Sequence, residues 1–265
     1  MTTVTRPVGV DELLRAHRSL MVGDFRRHPP RPRSPAGWAP VEPVLPVVGA
    51  AGGTGASTFA LALATAAGGR VVECATLTDS GLVAAPTAEL GRHDSGWLRG
   101  TRGTVMIERP ATTLTALGDL QAPTTPEAIP PMTVVDVAWE LGQVLTTESW
   151  VADLLRQSPL VVVTATATIP GLRRLEAALG MLASTPCVAA VLGPRRKKWA
   201  RAVAHSAGPL TTALIRAERL VVVPTDARLS ARGLDSAPLP DALLHAATHL
   251  LHLTQDVPAR KEPLT

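Results

Sequence analysis

From Val44 onward the chain consists of unbroken apolar runs separated by stretches whose apolar residues recur every three or four positions. The runs are PVLPVVGA (43–50), RVVECA (70–75), TVVDVA (133–138), LVVVTAT (160–166), CVAAVLG (187–193) and RLVVVPTD (219–226). Short Val-rich runs bounded by Gly, Pro or Asp read as strands buried on both faces. STFALALATAA (57–67) and the stretches at about 147–157, 168–184, 196–207 and 239–254 read as helices. Such strands alternating with helices predict an α/β fold, with a mostly parallel sheet covered by helices on both faces. The domain is placed at residues 44–254.

Different patterns flank it. DELLRAHRSLM (11–21) predicts a short helix, with Asp11 as cap and Leu13, Leu14, His17, Leu20 and Met21 on one face. Residues 26–43, RRHPPRPRSPAGWAPVEP, carry too much proline for helix or sheet and predict an extended linker. Residues 1–43 therefore form an N-terminal helix and linker, and 255–265 a polar tail.

Composition narrows the class. Apolar residues make up 46% of the 265, but aromatics only 3% with no Tyr, so Val, Leu and Ala must fill the core. Cys74 and Cys187 each lie in an apolar run, which suits two core thiols in a reducing compartment better than a disulfide or a zinc cluster. The start of the chain is polar, and no apolar run approaches a membrane-spanning length. A soluble cytoplasmic protein is expected. The net charge of +4 permits contact with nucleic acid or an anionic surface and requires neither.

The first predicted strand runs into Gly49-Ala50-Ala51-Gly52-Gly53-Thr54-Gly55-Ala56-Ser57-Thr58 and then into a helix. Glycines let backbone N–H groups converge there, and a helix N-terminus adds partial positive charge, as in a phosphate cradle. This strand–loop–helix resembles the MinD/ParA family of P-loop ATPases, whose deviant Walker A loop reads K-G-G-x-G-K-[ST]-[ST]. Residues 51–58 read A-G-G-T-G-A-S-T. VVVTATATIPGLRRLEAALGML (161–182) and RLVVVPTDARLSARGLDSAPLP (219–240) resemble later parts of that family, so the likeness runs over roughly 44–254.

The resemblance implies a nucleotide on Gly52, Gly53, Thr54, Gly55, Ala56, Ser57 and Thr58, with Pro224 beside the base. It implies Mg²⁺ near Ser57 and near Asp136, which stands in the Walker B place. The chain also departs from the pattern. Ala51 and Ala56 replace the two lysines that grip phosphate and reach across a dimer. Glu73 and Ala75 stand for the D-x-D carboxylates, Trp139 for a switch glycine, and Gly193 and Pro194 for an adenine-reading asparagine. Each lost lysine forfeits a charge-assisted bond of roughly 1.5–3 kcal/mol, about one to two decades of affinity.

The expectation is a degenerate MinD/ParA-like protein, of actinobacterial type by its Ala, Arg and Pro content, acting as a non-hydrolysing adaptor or scaffold in partition, conjugation or specialised secretion. Two alternatives stay open. One is an atypical ATPase whose site is completed by other cations or a partner; the other is a DNA-associated partition module. For the cofactor, the choices are ATP or ADP with Mg²⁺, held weakly, or none. A protein partner is expected, with nucleic acid and a second copy of the chain as further choices. The candidate interaction residues are Trp97, Arg99 and Arg102 in a Gly- and Arg-rich turn plus strand (96–109), and Arg195, Arg196, Lys197 and Lys198 after the fifth run, with Trp199 as a stacking face.

Overall fold

A computed structural model describes residues 37–255. The predicted 11–21 helix, most of the linker and the tail beyond 255 lie outside the described residues.

Among those residues one nine-stranded sheet runs through the molecule, in the order β3-β4-β5-β2-β6-β1-β7-β8-β9. The six strands expected from the apolar runs form its parallel body: β1 (Val44–Gly49), β2 (Arg70–Glu73), β6 (Thr133–Asp136), β7 (Val161–Thr166), β8 (Cys187–Leu192) and β9 (Leu220–Val223). β1 lies between β6 and β7, so the glycine loop leaves the middle of the sheet. The remaining strands, β3 (Ala88–Arg92), β4 (Trp97–Arg102) and β5 (Val105–Pro110), extend one edge, with β5 parallel to β2 and β4 antiparallel to β5.

Alternate side chains of the central strands feed two cores. Val47, Val71, Val134 and Val162 face α1 (Ala56–Ala67) and the C-terminal helix Asp241–Gln255. Val48, Val72, Val135 and Val163 face the opposite layer. That layer holds α2 (Leu141–Thr146), α3 (Trp150–Gln157) and α4 (Ile169–Met181). The helix expected at about 147–157 is α3, capped by Ser149, and a separate short helix, α2, capped by Glu140, precedes it. The helix expected at 196–207 is broken. A 3₁₀ turn at Arg196–Lys198 precedes α5 (Arg201–His205), and the Trp199 N–H donates to the Pro194 carbonyl between them. The helices α6 (Pro209–Arg216), α7 (Ala227–Arg232) and α8 (Asp241–Gln255) complete the chain.

The end of the expected linker is packed against the domain. Trp38 meets Trp150 edge to face at 5.1 Å between ring centroids. Buried Glu42 accepts from the Thr133 hydroxyl at 2.7 Å and pairs with Arg70. Among the described residues no helix is long and apolar enough to cross a membrane.

Candidate functional site

The glycine loop is held by its own chain. The Ala50 N–H donates to the Thr164 carbonyl on β7 at 2.8 Å. The Thr54 hydroxyl turns inward, 2.9 Å from the Ala51 carbonyl and 2.8 Å from the Thr164 hydroxyl. A Cβ on Gly49 would lie 2.9 Å from both the Ala51 carbonyl oxygen and the Thr54 hydroxyl, so this tight fold needs glycine. Gly53 and Gly55, at φ +73° and +77°, turn the loop into α1 through the left-handed region. Ala51 and Ala56 add no cation.

Beside the loop opens a cavity of about 370 Å³. Gly53, Thr54, Gly55 and Thr58 form one wall, and Pro224, Asp226 and Ser230 form the facing one. Phe59, Leu192, Val223 and Leu243 supply apolar surface, and Thr164 a hydroxyl. Of the residues predicted for nucleotide, Gly53, Thr54, Gly55, Thr58 and Pro224 line this cavity; Gly52, Ala56 and Ser57 do not. Among the described residues no Lys, Arg or His lines it, and Asp226 is the one charged side chain. Asp226 also caps α7, accepting from the Leu229 N–H at 2.9 Å. Sequence reasoning passed over this residue, although an Asp directly after a strand and three residues before Leu229 carries a capping signature.

The two carboxylates of the site lie elsewhere. Glu73 and Asp136 end neighbouring parallel strands in direct register, and both are fully buried. The Glu73 carboxylate accepts from the Ser80 hydroxyl and from the N–H groups of Gly81 and Leu82 at 2.7 and 2.9 Å. Burial raises its pKa, and those bonds and Arg109 oppose the rise. Neither Asp136 oxygen has a hydrogen-bond partner of ordinary geometry. Burial first, and then the Glu73 charge, push the Asp136 carboxyl up to about 7, with only a weak opposing influence from the Ser57 hydroxyl. Burial and both carboxyls raise the Cys74 thiol well above its usual range, leaving it unreactive.

An orphaned buried carboxylate beside a loop serine invites a metal, but these residues do not fit one as they are arranged. The chain folds back from β2 so that Ser80, Gly81 and Leu82 satisfy Glu73, whose side chain is one methylene longer than aspartate. A Cβ on Gly81 would fall 2.6 Å from the Ser57 Cβ and 2.7 Å from its Oγ, so the Gly81 backbone lies directly against Ser57. Asp136 has no exposed surface. Mg²⁺ requires octahedral ligands at about 2.0–2.1 Å and keeps several of its waters. Ser57 is half-buried against Gly81 and Asp136 is dry, so in this arrangement the two do not offer a hydrated ion its ligands. Among the described residues no group of three His, Cys, Asp or Glu side chains could hold a metal ion.

Trp139 acts as a tie where the resemblance implies a mobile glycine. Its indole N–H donates to the Cys74 carbonyl at 2.6 Å and links the chain after β6 to the chain after β2.

The expected interaction residues separate into two groups. Trp97 is 1% exposed, belongs to the core, and donates its indole N–H to the Ala122 carbonyl. Arg102 is buried and donates to the carbonyls of Ala85, Asp235 and Ala237. Arg99 pairs with buried Glu108, which also holds Arg70. These three are internal ties of the edge strands and not free anchors, because the segments at 122–124 and 235–237 pack on their side chains. Arg195, Arg196, Lys197 and Lys198 are exposed. They do not line the cavity, and Trp199 is turned inward, so it offers no stacking face beside them.

No family model matches the sequence, and no curated protein matches it. Solved structures do match in fold. One is a plasmid partition protein from Borrelia burgdorferi B31 bound to AMPPNP, at TM-score 0.50 and 12% identity, covering 81% of this chain and 98% of that one. Another is apo McdA from Cyanothece, at TM-score 0.52 and 11% identity, covering 79% of this chain and 99% of that one. The mostly parallel nine-stranded sheet with its helices has the fold of the MinD/ParA-type P-loop NTPases.

Proposed function

We propose that this chain is a degenerate MinD/ParA-like protein that works as a non-hydrolysing adaptor or scaffold. The observation that carries this reading is the loss of every cation from the cradle. Ala51 and Ala56 stand in the lysine places, and among the described residues no Lys or Arg lines the adjoining cavity. Phosphoryl transfer depends on positive groups placed where charge develops in the transition state. A glycine loop with partial helix charge alone supplies too little. The tie from Trp139 and the self-bonded loop support the same reading, since both favour one fixed shape over a nucleotide-driven switch.

The reading of an active ATPase completed by nearby cations has less support, because Arg195–Lys198 lie away from the cavity wall. The DNA-associated reading keeps one specific observation, the four consecutive exposed cations at 195–198. A role beside partition, conjugation or secretion machinery, an actinobacterial source and a protein partner belong to the leading proposal.

Capture of partners from host lysate on the immobilised full chain tests it. A partner retained equally with Mg·ATP, with ADP and with a chelator is the expected result. A partner released or recruited only by nucleotide would overturn the scaffold role.

A further inference from the structure

The cavity has the place of a nucleotide pocket and the charge of a different one. Its apolar wall, including Phe59, Leu192 and Leu243, suits the face of a ring. The hydroxyls of Thr58 and Ser230 can donate or accept, while that of Thr164, whose proton goes to Thr54, can accept. Asp226 is the one charged group among the described residues, and it is an acceptor when ionised. A phosphate entering here meets a carboxylate and no cation. The loop and the start of α1 offer about half a positive charge. The inward bonds of Thr54 withdraw its hydroxyl from that edge. The metal that usually offsets phosphate charge finds Ser57 crowded by the Gly81 backbone and Asp136 without exposed surface.

We infer that the cavity takes an uncharged nucleoside-type ligand, bound without phosphate and without metal. The ring lies on the apolar wall, and the ligand's N–H or hydroxyl donors reach Asp226 and the neighbouring hydroxyls. This rests on the reading that the cradle no longer serves hydrolysis and names the ligand class of that same site.

Calorimetric titration of the full chain with adenosine, AMP and ATP, each with Mg²⁺ and with a chelator, is the test. The three probes share one ring and sugar and differ in charge. Affinity should fall from adenosine to AMP to ATP by about threefold for each added negative charge, the size of a solvent-screened repulsion. Mg²⁺ should leave the adenosine affinity unchanged. Asp226→Asn keeps the cap on α7, because Asn and Asp cap equally well, and should close most of the gap between adenosine and AMP. ATP binding tightest, Mg²⁺ tightening ATP beyond adenosine, or no binding of adenosine at millimolar concentration would each overturn the inference. So would an unchanged adenosine-to-AMP ratio in folded Asp226→Asn. Tight ATP binding without phosphate release defeats only this inference, whereas phosphate release defeats the non-hydrolysing reading.

Discussion

Replacing Asp136 by asparagine should flatten the dependence of stability on pH. Asp136 ends β6 in full burial beside Glu73, and its carboxyl is raised from 3.8 to about 7 by burial and the Glu73 charge. Between those values the unfolded chain has released the proton while the folded chain retains it. The folded state then binds more protons, so stability falls as pH rises, and the fall ends above the folded value. Each unit costs about 1.4 kcal/mol. From pH 5 to pH 8 the wild type should lose about 3 kcal/mol that a variant with no ionisable group there keeps. Glu73, raised by its own burial, contributes in the same direction in both proteins and cancels in the comparison. Urea unfolding at pH 5 and pH 8, with and without Mg²⁺, measures this. The advantage of Asp136→Asn should grow by about 3 kcal/mol between the two conditions and ignore Mg²⁺. Equal differences at both pH values would refute the dry, unpaired carboxyl. Stabilisation of the wild type by Mg²⁺ at pH 8, absent in the variant, would show a metal ligand instead.

Trp97→Ala should destabilise by about 3–5 kcal/mol in urea unfolding, as for other buried aromatics; a change under about 0.5 kcal/mol would place Trp97 at a surface. Ala56→Lys should raise ATP affinity by about one to two decades in calorimetry, and an unchanged isotherm for the folded variant would make the loop a structural turn only. Duplex DNA binding should be weak and lost between about 50 and 200 mM salt, and absent when residues 195–198 are all alanine. Tight binding that survives this salt would favour the DNA-associated reading.

Most of the sheet was legible in the sequence because its strands are buried on both faces, which writes them as continuous Val-rich runs. β3 was not legible, since every residue of Ala88–Arg92 is exposed and a two-sided solvent-facing edge leaves no apolar period. The expected interaction role for Trp97 and Arg102 failed for a related reason. Composition marks such residues as interface formers, but burial depends on strand neighbours far along the chain, and Arg102 reaches carbonyls more than 130 positions away. The glycine loop was readable because its local backbone geometry dictates its residues. The packing of Gly81 against Ser57 was not, because it depends on Ser80–Leu82 folding back on Glu73, an encounter that no spacing rule encodes.

The most direct measurement is phosphate release from ATP by the purified full chain in saturating Mg²⁺, compared with Asp136→Ala and a protein-free blank. A cradle without cations and a serine crowded by Gly81 predict a rate equal to the blank for both proteins. Turnover by the wild type that disappears in Asp136→Ala would contradict the non-hydrolysing reading.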